Sequence, residues 1–328
     1  MKDVAEVAEV SQSTVSRILS GAPPAVPISP ATRARVLDTA ARLRYRPNPL
    51  ARGLRGAPTM LIGAIVRDVT DPFFAGAIDA LSLQARRHGY SVVLGHARGQ
   101  AEEALALAAV LEARQCDAIV LLGDIHDQPR LLDDLAAVDG PVIELWQGSG
   151  AQRFPAIAVD NAGGMRAALT HLHELGHRRI AFVGDPDKAD VAERRDAYLE
   201  RGDDVVLAPN TAPGGADALD ELLDRREPPT AVAAATDVLA FGVLHRAAVR
   251  GLRVPEDLSV TGFDDIPLAA SAVPALTSVR MPVEAMAQAA VERAIAPTPE
   301  QADQPRVRMF AAELVVRAST ARPRQAQR

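Results

Sequence analysis

From about residue 60 onward, short continuous apolar runs alternate with longer stretches whose apolar side chains recur every three or four positions. The runs at 61–66, 92–94, 118–122, 141–145, 180–183, 231–235 and 258–262 read as strands that are apolar on both faces. Interleaved with amphipathic helices, such strands predict parallel sheets covered on both sides. About ten of them is more than one comfortable sheet, so the pattern predicts two doubly wound parallel-sheet α/β lobes. The chain is expected to cross between the lobes near 156–161, 276–281 and 308–316.

The first 58 residues follow a different pattern. Val4, Val7 and Ala8 recur at helical spacing, with Asp3 and Glu6 in the first turn, where the helix dipole favours acids. After a break at Glu9 and Val10, Ser11 can cap a second helix over 12–19. Its inner side is Val15, Ile18 and Leu19, and its outer side is Gln12, Ser13, Thr14, Ser16 and Arg17. A proline-rich loop over 21–27 leads to Ser29, which caps a third helix from Pro30 to about Leu43. Two helices on a tight turn, the second polar outward, form the helix-turn-helix pattern. Long hydrogen-bonding arms suit base edges and short hydroxyls suit phosphates.

Charge sharpens that picture. The net charge of −6 hides nine Lys/Arg against four acids in residues 1–58, so the head carries +5 and the remainder −11. A small basic module on an acidic body is the footprint of a nucleic-acid-binding head. The apolar fraction of 48% and charged fraction of 24% are those of a soluble globular protein. No apolar run approaches the roughly 20 residues that span a bilayer, and Met1-Lys2-Asp3-Val4 leads into an amphipathic pattern without an export-signal core. The single cysteine, Cys116, excludes an intrachain disulfide framework and reads as a buried, inert thiol. A cytoplasmic protein is expected.

The wording of the head is more specific than its pattern. Asp3-Val4-Ala5, Val10-Ser11, Ser13-Thr14-Val15-Ser16-Arg17-Ile18-Leu19, Thr32-Arg33, Val36-Leu37 and Tyr45-Arg46-Pro47-Asn48-Pro49-Leu50-Ala51-Arg52 closely resemble the head of the lactose-repressor (LacI/GalR) family. The resemblance implies that the second helix lies in the major groove, with Gln12, Ser13 and Arg17 reading bases and Ser11, Thr14 and Ser16 holding phosphates. The segment 48–54 is too short for a stable helix by itself, although Asn48 and Pro49 pre-set one. In the family this hinge folds on DNA. That places Ala51, Arg52 and Leu54 at the minor groove, with Leu54 as the wedge. Glu9 and Arg44 stand where the family usually has glycine, at helix ends that favour a left-handed backbone, and Gly53 replaces a small hydroxyl residue. These departures predict a head that is less stable alone and a hinge that depends on DNA for its order.

The resemblance continues through Asp71-Pro72-Phe73-Phe74, Val159-Asp160-Asn161, His173–Phe182, Val254–Val260, Gly262–Pro267 and Leu276–Arg280, and so covers nearly the whole chain. It implies a body like periplasmic sugar-binding proteins and a homodimer on a pseudo-palindromic double-stranded operator. It also implies a small-molecule effector, of carbohydrate class, that controls a repressor's operator affinity. Ligands of such bodies bind outside the carboxyl ends of the strands. Arg194 and Asp264 fall where the family places a ligand-binding arginine and a hydroxyl-accepting aspartate. Phe73 and Phe74 follow the first strand as a stacking wall, and Thr236 takes the place of a more usual asparagine. Trp146, the only tryptophan, reads either as a sugar-stacking surface or as a wedge between lobes. Asp124 and Asp68 are weaker candidates. Ala197 replaces a usual glycine, and the stretch 198–213 is a turn or two shorter than typical.

Other chemistries find little support. His171, His173, Glu174 and His177 have a metal-like spacing, but Gly176 is placed to end the helix between them, so no metal is expected. Asp71-Pro72-Phe73-Phe74 occupies the turn a glycine-rich phosphate loop would need, which argues against a nucleotide cofactor. The pairs Asp133-Asp134 and Asp264-Asp265 are adjacent and diverge, so neither makes a catalytic dyad, and no enzyme is expected. The competing reading is a solute-binding protein without DNA function, which would need an export signal and no basic head. The expected divisions are 1–46 (head), 47–58 (hinge), 59–318 (body) and 319–328 (disordered tail).

Overall fold

The head is three helices, α1 (Lys2–Val7), α2 (Gln12–Ser20) and α3 (Pro30–Arg42). Val4, Ala8, Val15 and Val36 are fully buried together, and Ala5, Ile18 and Ala40 complete this small core. Ser11 caps α2 by accepting from the Thr14 amide at 3.1 Å, and Ser29 caps α3 by accepting from Thr32, with Pro30 in the first turn. Glu9 and Arg44 take φ of 52° and 48°, the left-handed backbone their positions were expected to need. Arg35 donates from Nε to the Ala8 carbonyl at 2.9 Å, tying α3 to the end of α1.

This computed structural model describes residues 1–20, 28–45, 58–124, 129–138, 140–147, 153–296 and 305–324. The loop 21–27 and the hinge residues Ala51, Arg52, Gly53 and Leu54 lie outside the described residues. The chain divides into two units, Met1–Met60 and Leu61–Arg328.

The second unit holds two six-stranded sheets. The N-lobe sheet comprises β1 (Leu61–Val66), β2 (Ser91–His96), β3 (Ala118–Leu122), β4 (Val142–Gln147), β5 (Ala156–Val159) and β11 (Val307–Phe310). Their order is β11-β5-β4-β3-β1-β2, with every pair parallel. The C-lobe sheet comprises β6 (Ile180–Gly184), β7 (Val205–Leu207), β8 (Ala231–Ala234), β9 (Ser259–Asp264), β10 (Thr277–Arg280) and β12 (Glu313–Val315). Its order is β12-β10-β9-β8-β6-β7, and only the edge strand β12 runs antiparallel. Strands β3, β6, β8 and β9 are buried at every position, which is why each reads as an unbroken apolar or small-residue run. The chain crosses between lobes after β5, after β10 and between β11 and β12, within the three expected stretches.

The shortened stretch after Ala197 is closed by one side chain. The buried Tyr198 hydroxyl donates its one proton to the Ile180 carbonyl at 2.8 Å, with the Asp204 carbonyl a longer alternative at 3.1 Å, and accepts from the Asp204 amide, so it binds the segment to β6. Burial pushes this phenol up to about 12.

The tail requires a correction. Ser319 is fully buried, donating to the Val260 carbonyl at 2.6 Å and accepting from the Thr277 amide at 2.8 Å. The Ala321 amide donates to Ser259, and Arg324 pairs with Asp257. The segment is therefore ordered through Arg324, and 325–328 lie outside the described residues. Its order comes from side-chain partners far away in sequence, which leave no periodicity to read. Two of the histidines set aside as metal ligands, His171 and His177, serve this same segment. The His177 ring meets Ser259, Thr230 and the Ala321 carbonyl, and His171 meets Thr320. Gly176, at φ 103°, ends the helix between His173 and His177.

Candidate functional site

On α2, Val15 and Ile18 face the head's core, while Gln12, Ser13 and Arg17 are exposed. Thr14 and Ser16 are partly buried at the edges of that face. The Ser11 hydroxyl also touches Ser13 and Thr14 at 2.7 and 2.9 Å, so the cap and the exposed hydroxyls form one local cluster. Helical spacing puts Ser13, Ser16 and Arg17 side by side on one surface. A B-DNA major groove admits a single α-helix.

In the body, the ends of β1, β3, β4, β8 and β9 converge on a cavity of about 20 Å³. Its lining includes Arg67, Asp71, Phe73, Trp146, Arg194 and Asp264. The Arg194 guanidinium is held from every side. Its Nε donates to Asn161 at 2.9 Å, Nη1 donates to the Ala235 carbonyl at 2.7 Å, Nη2 lies 3.2 Å from Asp190, and the Phe263 ring sits 3.7 Å beneath. Asp264 faces it at 3.6 Å, an ion-pair separation rather than a hydrogen bond. Burial raises the Asp264 carboxyl well above the usual carboxylate range, against the pull of Arg194.

The opposite wall comes from the N lobe. A register shift between Leu145 and Gln147 and a φ of 62° at Trp146 turn the indole toward Phe73, whose ring meets it edge-on at 5.4 Å. Trp146 Nε1 is buried without a hydrogen-bond partner among the described residues. Phe74 plays a different part from Phe73. It is 1% exposed, sits under the Arg67 guanidinium, and packs where Gly123 has no Cβ to obstruct it. It lines the cavity beside Phe73 while backing the wall from within the core.

Two further candidates act between lobes. The Asp124 carboxylate accepts from the Ala189 amide at 3.2 Å, capping the C-lobe helix Ala189–Leu199 from the N-lobe side, and it does not line the cavity. Thr236 caps the helix Asp237–Val249 and donates to Asn210 at 2.6 Å. Asn210 in turn donates across to Asp71 at 3.0 Å. Asp68 accepts from Thr70 and lines a wider chamber of about 500 Å³, which shares Arg67 and Asp71 with the inner cavity.

Arg67, Asp190 and Asn210 escaped the sequence reading. Arg67 pairs across the lobes with Asp190 at 3.7 Å. Asp190 is legible in principle, since it stands four residues before Arg194 on one helix face. Arg67 was legible as the residue ending the first strand. Nothing in the sequence points to Asn210, whose partners come from three distant segments.

The model for bacterial regulatory proteins of the lacI family matches residues 1–48, and that for a periplasmic binding protein-like domain matches 169–320. The HTH-type transcriptional repressor CytR of Escherichia coli (strain K12) is 33% identical over 306 residues, covering 86% of this chain and 84% of CytR. The chain belongs to the LacI family. As a LacI-family protein it is a DNA-binding transcription regulator under ligand control. A lac repressor dimer bound to operator and the anti-inducer ONPF matches it with a TM-score of 0.85 at 26% identity, covering 97% of this chain and 98% of that one. The complex of the transcriptional regulator CelR with cellobiose matches at 30% identity with a TM-score of 0.70, over the same shares of each chain. Among the described residues of this LacI-family protein, no helix is long and apolar enough to cross a membrane.

Proposed function

We propose that this LacI-family chain is a cytoplasmic transcriptional repressor that binds a pseudo-palindromic operator as a homodimer, its affinity set by a neutral carbohydrate held between the lobes. Gln12, Ser13 and Arg17 read bases, and Ser11, Thr14 and Ser16 hold phosphates. Ala51, Arg52 and Leu54 engage the minor groove. In the body, Arg194 and Asp264 address sugar hydroxyls while Phe73 and Trp146 supply the apolar wall.

The observation that carries the effector class is the buried Arg194–Asp264 pair facing the Phe73–Trp146 wall. Charge narrows it further. Both cavity guanidiniums are already engaged by carboxyl groups, Arg67 by Asp71 and Asp190 and Arg194 by Asp190 and Asp264. A phosphosugar would have to break one of these pairs to gain a cation, and a neutral polyol would not. The inner cavity has room for about one water. A sugar ring therefore enters only as the lobes or the Arg67–Asp190 pair move, which ties binding to lobe angle. CelR, the relative seen with cellobiose, supports the same class.

The lone tryptophan makes the test direct. Emission from Trp146 and calorimetry on the full chain are followed with ribose, glucose, galactose, cellobiose and sugar phosphates. A neutral sugar is expected to bind, and Asp264→Asn is expected to weaken it by about 10–100-fold, the cost of leaving a buried sugar hydroxyl without its acceptor. Preference for the phosphates, or sugar binding indifferent to Asp264→Asn, counts against the proposal.

A further inference from the structure

Each of the three lobe crossings is bonded to a residue on or beside the cavity wall. The first crossing ends at Asn161, which is 1% exposed and accepts from Arg194 Nε at 2.9 Å. The second leaves the C lobe at Arg280, the last residue of β10. The third enters it through β12 and reaches Arg317 two residues later. Arg280 and Arg317 converge on a single carboxylate, that of Asp265, at 2.7 and 2.6 Å. Asp265 is the neighbour of Asp264, and its side chain is 3% exposed.

The turn that carries both aspartates is rigidly held. Asp264 and Asp265 have φ of 111° and 50°, two successive non-glycine residues in the left-handed half of backbone space. Asp237 fastens the turn from behind. One of its oxygens accepts from the Ile266 amide at 2.9 Å. The other accepts from Ser278 at 2.5 Å, and Ser278 accepts from the Asp265 amide at 3.1 Å. Asp264 therefore faces the cavity and Asp265 faces the crossings from one stiff unit.

We infer that Asp265 and Asn161 are positioning residues that couple the effector cavity to the lobe angle. A displacement of Asp264 reaches the second and third crossings through Asp265, and a displacement of Arg194 reaches the first through Asn161. A ligand changes lobe angle only by binding two arrangements unequally. These bonds make the spacing of Arg194 and Asp264 depend on that angle. The inference rests on the cavity being the effector site.

Hydrogen–deuterium exchange on the full chain without ligand tests the latch by itself. Asp265→Asn is expected to speed exchange at 277–281 and 313–318 by tenfold or more, while Ala231–Ala234 and Ile180–Gly184 of the same sheet change less than twofold. Arg280→Gln is expected to release only the first of those stretches and Arg317→Gln only the second, with Lys at either position restoring protection. These single variants carry the test if Asp265→Asn does not fold. Spin labels at Val110 and Leu207, exposed positions on the two lobes, are expected to show a broader inter-lobe distance distribution in the same variants. Uniform acceleration across the C-lobe sheet, or an unchanged inter-lobe distance, overturns the inference and assigns these residues a merely structural role. Both measurements omit sugar, so failure here leaves the effector reading standing. Failure of sugars to bind counts against that reading and not against the latch.

Discussion

Glu9 and Arg44 each hold a left-handed backbone with a side chain that disfavours it. Such a residue costs about 1–2 kcal/mol where glycine would cost little. Glu9→Gly is therefore expected to stabilise the head by about 1 kcal/mol in urea melts, as is Arg44→Gly. Asp237 makes a second prediction at this scale. Burial raises its carboxyl to about 7, while an unfolded aspartate ionises near its ordinary value of 3.8. Between those values the folded chain binds the extra proton, so this group's contribution to stability is full below about pH 4 and is lost as pH rises through about 7. Asp264, also raised by burial, adds to the same slope. His177, whose ring burial lowers below its usual value, acts oppositely and loses stability as pH falls. The readout is consequently the difference between parent and Asp237→Asn. The variant's melting temperature is expected to depend less steeply on pH between 5 and 7.

At the scale of elements, α2 separates the two kinds of DNA contact. Arg17→Ala is expected to cost roughly 1–3 kcal/mol and to relax base preference at one operator position, whereas Thr14→Ala weakens operator and random DNA alike. Binding isotherms on both DNAs decide it, and equal losses for Arg17→Ala refute the base-reading role. Much of this element was legible in advance. Ser11, Val15 and Ile18 have the spacing of a capped helix with an inward face, and local spacing is what a sequence displays. The helix Ala189–Leu199 shows the opposite. Its N-terminus is capped by Asp124 from another lobe, 65 residues earlier in the chain, and no local pattern announces that partner.

At the scale of the whole molecule, the +5 head and the −11 remainder divide the work. Removing residues before Met60 is expected to abolish operator binding in gel shifts while leaving sugar binding intact. Raised salt is expected to weaken the intact chain's DNA affinity steeply, as each phosphate contact releases counterions. Retained DNA binding by the truncated chain contradicts the division. The parallel strands, their crossings and the capped helices were determined by the sequence itself, because each depends on the order of apolar and polar residues within a few turns. The resemblance to the LacI family, rather than any local pattern, placed Arg194 and Asp264 among the site candidates. Tertiary structure alone decided what surrounds them. It brought Arg67 to Asp190, gathered Arg280 and Arg317 onto Asp265, turned Trp146 onto Phe73 at a bulge, and ordered the tail on His177. Those contacts join residues 15 to 144 positions apart, where periodicity carries no information and only the folded chain sets the distance.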